Sequence, residues 1–277
     1  MNIGLGLPID DPASLLTWAR RADDGPFTTL GLLDRLVYDN PEPLITLAAL
    51  AGATSRIRVQ TEVLLAPLHN TALLAKQTAT LDRMSGGRFT LGIGVGGRPD
   101  DYEAAGVDVR RRGRRLDEQL VLLHRTWSGG GSIGPTPVTP GGPEVLFGGF
   151  APVVFERVAR WGGGFLGAAL PPQAMDRVFR EVERKWAEFG NAGRPRLVAQ
   201  VNVVLGPEAV VEQARANLRA YYAFSEYADH IRAGLLTTAA DIRAAVTGFG
   251  DIGADEVMLY CWATDPDQVG RLAGELS

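Results

Sequence analysis

The side chains that could carry out acid–base chemistry in this sequence lie at the ends of short apolar runs or interrupt them. Asp34 and Arg35 directly follow one such run, Glu62 interrupts another, and His69 comes shortly after it. Carboxyl and imidazole groups exchange protons when their surroundings bring their pKa near the working pH, and a guanidinium group binds anionic groups. The pattern predicts Asp34, Arg35, Glu62 and His69 as catalytic candidates for proton transfer or substrate orientation.

Each of these residues also has a structural interpretation. For Asp34 and Arg35 the alternative is an ion pair that ties one loop to the next. For Glu62 it is a local bulge that turns the carboxylate to solvent or towards an arginine. A lone histidine such as His69 is more often structural than catalytic.

Two glycine clusters favour the binding of a planar or phosphorylated molecule. The first includes Gly94 and Gly96 and follows an apolar run; glycines there let a flat ring approach the backbone, or simply relieve crowding. The second, Gly148-Gly149-Phe150-Ala151, lies between a predicted strand and a predicted helix, where free N–H groups bind phosphate. The alternative for the second cluster is a plain tight turn.

The elements that would position these residues alternate along the chain. Short runs rich in Val, Ile, Leu and Gly alternate with segments of helical period, which is typical of repeated βα units around a parallel sheet. Eight strands are predicted, the third over Ile57–Leu65, and helices include Pro41–Ser55 and one from about Arg115 to Trp127. The Gly- and Pro-rich segment Ser128–Gly142 is predicted to be a long loop. The expected fold is α/β, a (β/α)8 TIM barrel formed by residues 1–277 as a single domain, with its chemistry at the carboxyl ends of the strands.

Composition excludes several classes of protein. The 277 residues carry a formal charge of −4 and no long basic block, which argues against a nucleic-acid partner. No apolar run approaches the roughly 20 residues of a membrane span. A single cysteine, Cys261, excludes an internal disulfide framework and suits a reducing cytoplasm. No grouping of His, Cys and acidic residues has metal-ligand spacing, so we expect no metal.

Several segments together carry a resemblance to a known family. Thr61–Pro67 (Thr-Glu-Val-Leu-Leu-Ala-Pro) and Leu81–Phe89 (Leu-Asp-Arg-Met-Ser-Gly-Gly-Arg-Phe), which leads into Leu91–Gly96, are the most specific. They resemble the bacterial luciferase-like, F420- or FMN-dependent oxidoreductases. The resemblance is strong over residues 1–127 and weaker over 145–167 and 254–267.

The resemblance implies a reduced flavin or deazaflavin ring lying across the barrel mouth. It implies a non-prolyl cis peptide at Glu62-Val63 behind the ring and places Asp34 near the ring or the substrate. Arg35 stands where F420-using relatives often have His. The cofactor-binding candidates are as follows: Thr61, Glu62, Val63, Gly94, Gly96, Arg112, Gly148, Gly149, Phe150 and Ala151.

The function implied by this resemblance is redox chemistry on a small organic molecule. The expected enzyme uses F420 or FMN, reduced by a separate reductase, either to reduce or to monooxygenate its substrate. The resemblance also implies a homodimer. Two alternatives are a non-catalytic flavin-binding barrel and a barrel hydrolase or isomerase that needs no flavin.

Overall fold

Parallel strands close into a barrel in a computed structural model that describes residues 1–225 and 228–276. The strands are β1 (Asn2–Gly6), β2 (Thr29–Leu32), β3 (Arg58–Thr61), β4 (Leu64–Leu65), β5 (Phe89–Gly94), β6 (Glu144–Gly148), β7 (Gly164–Ala169), β8 (Arg196–Val203) and β9 (Glu256–Cys261). Neighbours follow the order β3-β2-β1-β9-β8-β7-β6-β5-β4, and β3 also pairs with β5. Because β3 and β4 both pair with β5, they share one position, and the barrel has the eight positions that the sequence predicts.

Helices surround the barrel and return the chain to its amino-terminal end. They are α1 (Pro12–Asp23), α2 (Pro43–Ala53), α3 (Thr71–Met84), α4 (Pro99–Ala104), α5 (Arg112–Trp127), α6 (Pro152–Trp161), α7 (Pro172–Glu188), α8 (Glu208–Tyr221), α9 (Ala228–Ala233), α10 (Ala239–Asp251) and α11 (Asp267–Glu275). Several begin at residues whose side chains accept a backbone N–H of the first turn, among them Asp11, Asn70 and Thr238. Of the described helices, none is both long and apolar enough to cross a membrane.

The strands alternate between two apolar environments. Outward-facing side chains pack against the helices in one large cluster, whereas Leu146, Leu166, Val198 and Met258 form a small cluster inside the barrel. A Cβ atom on Gly4 of β1 would collide with Met258, so this glycine makes room for a large interior side chain. The interior is therefore packed up to the level of this cluster.

Charged side chains close the amino-terminal end of the barrel. The Arg196 guanidinium pairs with Glu144 and with Glu256, and Glu256 is fully buried. Thr28 Oγ1 donates to Glu256 Oε1 over 2.6 Å, and Arg58 Nη2 lies 3.4 Å from Glu144 Oε2. Because this end is plugged, the carboxyl end is where a ligand can enter.

Two predicted elements differ in the structure, and it also contains short helical elements that were not predicted. The single strand expected over Ile57–Leu65 is wrong: the chain forms β3 and β4, interrupted at Glu62-Val63, where the peptide bond is cis. The helix expected from about Arg115 begins at Arg112. A short helix that was not predicted, α4, begins at Pro99, a residue that suits the first position of a helix.

Candidate functional site

A cavity of about 290 Å³ opens at the carboxyl ends of the strands. This volume is near the lower end of the range for small-molecule sites. Its lining includes residues predicted from the sequence to bind cofactor: Glu62, Val63, Gly94, Gly96, Gly148, Gly149 and Phe150. It also includes residues that were not predicted: Leu33, Val95, Leu166, Gly167, Ala168, Gln200 and Tyr222.

Val63 lies between two glycines at the base of this cavity. A Cβ atom on Gly94 would lie 2.7 Å from Val63 Cγ2, and one on Gly148 would lie 2.7 Å from Val63 Cγ1. Both strands therefore need glycine at these positions for Val63 to project inward from the cis Glu62-Val63 peptide. The cis peptide that the family resemblance implies is thus confirmed, and Val63 gives the base of the cavity an apolar surface.

The loop between β6 and α6 forms one side of the cavity. Gly149 has a φ of +125°, a conformation that favours glycine, and Phe150 is exposed. Ala151 is the residue before α6 and has no side chain that can cap the helix. Pro152 at the start of α6 has no N–H, and the Val154 N–H donates to the Ala151 carbonyl over 2.8 Å, so the amide groups of the loop from Gly149 to Ala151 are the better candidates for an anion site.

Besides Ala151, two more predicted cofactor residues are absent from the cavity lining. Thr61 is buried, and its Oγ1 donates to the Gly92 carbonyl over 2.6 Å, which fastens β3 to β5. Arg112 is half-buried at the start of α5, where its Nη1 donates to the Val109 carbonyl over 3.0 Å. Neither residue lines the cavity.

Asp34 and His69 come together at the barrel mouth. Asp34 Oδ2 accepts the Leu65 N–H over 2.8 Å and lies 3.9 Å from His69 Nε2. The side chains keep 8% and 24% of their accessible surface, respectively, so His69 remains open to solvent or to a ligand. This separation exceeds hydrogen-bond distance, so a proton passing between the two groups would need a bridging water. Neither side chain is part of the cavity lining. Within residues 1–225 and 228–276, no three His, Cys, Asp or Glu side chains are grouped to hold a metal ion.

Arg35 is held in a buried ion pair and against aromatic rings. Its Nε lies 3.2 Å from Asp101 Oδ2, and both side chains are almost fully buried. The guanidinium carbon lies 5.3, 5.2 and 5.1 Å from the ring centres of Tyr38, Tyr221 and Phe224. Asp101 also accepts the N–H groups of the two residues after Arg35 over 3.1 and 2.7 Å. Arg35 thus connects the loop after β2 to α4 and to the end of α8.

Glu62 is a buried carboxyl group in the wall of the cavity. Gln60 Nε2 donates to its Oε1 over 2.8 Å, whereas Oε2 has no hydrogen-bond partner among the described residues. Burial raises the pKa of Glu62 to about 8, the Gln60 hydrogen bond opposes this rise, and the negative charge of Glu256 adds to it. Glu62 is therefore protonated over much of the neutral range.

The sequence contained a signal for some of the residues that were missed. Gln200 lies within the apolar strand β8, where it faces the cavity at 7% exposure. An amide in such a run needs a partner or a ligand, so it could have been identified by the same argument that selected Glu62. Tyr222 directly follows α8 rather than a strand, so the rule that selects residues at strand ends did not identify it.

Comparisons with known proteins agree with this architecture. The family model described as luciferase-like monooxygenase matches residues 3–269. An uncharacterized protein of Mycobacterium tuberculosis is 33% identical over 160 residues, which are 54% of this chain and 55% of that relative. The match thus spans little more than half the length of that relative.

Solved structures share the fold over the whole chain. An F420-dependent secondary alcohol dehydrogenase in complex with an F420–acetone adduct has a TM-score of 0.81 at 16% identity, with 100% of both chains covered. The oxygenating constituent of 3,6-diketocamphane monooxygenase from Pseudomonas putida, in complex with FMN, has a TM-score of 0.76 at 16% identity, covering 100% of this chain and 96% of that one. Since the family model covers nearly the full sequence, this chain belongs to the luciferase-like monooxygenase family.

Proposed function

We propose that this protein is an oxidoreductase that holds a reduced FMN or F420 ring in the mouth cavity and acts on a small organic substrate. The observation that carries the proposal is Val63, held between Gly94 and Gly148 at the base of the cavity. Two of the similar folds are described with FMN or with an F420 adduct. We treat residues 1–277 as one barrel domain with this single redox site.

The residues present fit a planar ring with a phosphate tail. Val63 offers an apolar contact for one ring face, and Glu62 and Gln200 offer polar groups to the ring edge. The amide groups of the loop from Gly149 to Ala151, directly before α6, would hold the phosphate. Arg112 has no carboxylate partner within the described residues. The start of α5, where Arg112 lies, is joined to α6 by the hydrogen bond from Arg157 Nη2 to the Gly113 carbonyl over 3.1 Å, so we assign Arg112 to the same phosphate.

The chain's own groups would then manage protons and position. A bound reduced ring supplies a hydride or, in the case of FMN, activates dioxygen. His69, whose Nε2 faces Asp34, would give a proton to the substrate or take one from it at its other ring nitrogen, Nδ1. Arg35, committed to Asp101, would position Asp34 rather than transfer a proton. Phe150 and Tyr222 would shield the site from water.

An anaerobic titration with oxidised and reduced FMN and F420 tests the proposed function. We expect the oxidised and reduced forms of one of the two cofactors to bind. Absorbance at about 420 nm identifies oxidised F420, and absorbance at about 450 nm identifies oxidised FMN. Binding with no turnover, even after a search of substrates, would favour a non-catalytic flavin-binding barrel. If no cofactor raises the thermal midpoint of the protein at concentrations well above the expected dissociation constants, the proposal is wrong. A flavin-independent hydrolase or isomerase is then favoured.

Replacing Gly94 by Ala tests the base of the cavity. The added Cβ would lie 2.7 Å from Val63 Cγ2, so Val63 must move towards the ring site. Overpacking costs about 1–3 kcal/mol. Because the displaced Val63 would occupy space needed by the ring, this cost falls on the bound state and lowers cofactor affinity about five- to 150-fold. Gly97→Ala is the matched control, because its Cβ would meet nothing within 4 Å. Equal affinities of the two variants, measured by equilibrium titration, would show that the ring does not rest on Val63.

The proposed enzyme depends on a separate source of reduced cofactor. One similar structure is described as the oxygenating constituent of a monooxygenase, which supports a separate reductase that supplies the reduced cofactor. We also propose that the protein acts in the cytoplasm, since its one cysteine, Cys261, is buried as a free thiol.

We propose that the functional unit is a homodimer formed through α2 and α3. Ile45, Leu73 and Met84 line an apolar groove between these helices and are 70%, 54% and 56% exposed. We expect Ile45→Arg to convert the dimer to a monomer in light-scattering measurements. Val121→Arg, on the exposed face of α5, should leave the mass unchanged. A monomeric wild type would refute this part of the proposal.

A further inference from the structure

Glu62 combines burial with an open hydrogen-bonding position. Its residue is 6% exposed, it lines the mouth cavity next to Val63, and its Oε2 has no partner among the described residues. The carboxyl group lies across Gly31 of β2, since a Cβ on that glycine would collide with it. A buried polar atom without a partner is rare in folded proteins and requires an explanation. The position of Glu62 in the cavity wall suggests that a ligand supplies the missing partner.

The surroundings favour the neutral form of this carboxyl group. In the described part of the chain, the titratable groups that face Glu62 are Glu256 and Tyr260 on β9, with Tyr222 lining the same cavity. Glu256 is a buried acid, and the Arg196 guanidinium is already committed to it and to Glu144. No cation on these elements is therefore directed at Glu62.

The other elements around Glu62 bring no charge. Gly31 contributes no side chain, and β5 to β8 contribute Gly94, Gly148, Leu166 and Gln200 to the cavity. Gln60 donates its amide N–H to Oε1. An ionised Glu62 would thus have a single amide to stabilise it, whereas a protonated Glu62 has an O–H available on the cavity side.

We propose that protonated Glu62 donates a hydrogen bond to the reduced ring, so that the protein binds the anionic reduced ring only while Glu62 holds its proton. This inference rests on the proposed function, because it assigns the ring to this cavity. Reduced flavin and reduced deazaflavin rings readily lose a proton and become anionic. A negative ring beside an ionised carboxylate in a buried site would be strongly repelled, whereas a carboxylic acid gives a charge-assisted hydrogen bond. Oxidised FMN has a neutral ring and should bind with little dependence on this proton.

The test measures affinity for reduced and oxidised FMN as a function of pH. If F420 alone binds, reduced F420 is used and Glu62→Gln is the reference, because the ring hydroxyl of oxidised F420 is itself acidic. Between about pH 7.5 and 9.5, wild-type affinity for the reduced ring should fall, approaching about tenfold per unit above the pKa of about 8. Glu62→Gln keeps a neutral N–H donor and should abolish this slope while retaining neutral-pH affinity. Glu62→Ala should lose roughly tenfold or more at neutral pH, because it removes the donor.

A second measurement uses the protein without cofactor. The folded-state pKa of Glu62 lies above its ordinary value of 4.5, so the folded chain binds the proton more tightly than the unfolded chain. Stability due to this group is therefore fully present below pH 4.5 and is lost as pH rises towards about 8. The thermal midpoint of the wild type should fall across this window relative to that of Glu62→Gln.

The outcomes separate this inference from the proposed function. If neither cofactor binds wild type at any pH, the proposed function fails, and this inference fails with it. If the reduced ring binds but wild type and Glu62→Gln have the same pH slope, or wild type has none, the proposed function stands and the role of Glu62 is refuted. A midpoint difference between the two proteins that does not vary with pH would also refute it.

Discussion

Replacing Asp34 by Asn is expected to lower kcat about 10²- to 10⁴-fold while leaving cofactor affinity nearly unchanged. The amide oxygen can still accept the Leu65 N–H, which Asp34 Oδ2 accepts over 2.8 Å, so the loop should keep its shape. What is lost is the negative charge 3.9 Å from His69 Nε2. Turnover of the cofactor-loaded enzyme with a panel of small ketones, enones and aldehydes measures the effect.

A matched control lies on the same loop. Asp39 is exposed, and Asp39→Asn removes the same charge without touching His69. We expect this variant to retain wild-type turnover. If Asp34→Asn and Asp39→Asn behave alike, Asp34 does not take part in proton transfer, and the structural interpretation of this residue is correct.

Replacing Asp101 by Ala is expected to lower the free energy of unfolding by about 3–5 kcal/mol. The change removes the carboxylate that pairs with Arg35, and the Arg35 side chain, which is only 5% exposed, stays buried with its charge unpaired by an acid. It also removes the acceptor of the Leu36 and Val37 N–H groups. Chemical denaturation measures the loss, and the cofactor should bind more weakly because the loop that carries Asp34 is released.

The neighbouring acid provides the control for this prediction. Asp100 is 38% exposed in its side chain and pairs with Arg98, so Asp100→Ala should change the free energy of unfolding by about 1 kcal/mol or less. Similar losses for the two variants would mean that the buried Arg35–Asp101 pair contributes no more than a surface ion pair. Arg35 would then again be available for a direct role in catalysis.

Much of the fold could be predicted because its signals are local and repeated. The alternation of apolar runs and helical segments predicts eight strands. The rule that chemistry lies at strand ends then selects Asp34, Glu62 and His69. The cis peptide at Glu62-Val63 could be anticipated from the family resemblance, but not from the apolar run around it. Strand propensity alone predicts one continuous strand there, because propensity is local and contains no information on the packing of Val63 between two distant glycines.

The pairing of side chains could not be predicted, because it depends on contacts between distant segments. Arg35 and Asp101 are 66 residues apart, and nothing near Arg35 indicated that a later helix would supply its carboxylate. Thr61 was expected at the ring, but its place on the outer side of β3 depends on where the strand ends. Arg112 was expected to bind phosphate, and this role stays a prediction, since Arg112 does not line the cavity and its Nη1 donates to the Val109 carbonyl.

The most direct test of the whole account is a crystal structure of the protein with its reduced cofactor. The ring should rest on Val63 with its edge within hydrogen-bond distance of Glu62, and the phosphate should contact the amide groups of the Gly149–Ala151 loop. A ring bound instead in the separate apolar cavity beside Ala169 and Leu236, or at the end closed by Arg196 and Glu256, would contradict the account.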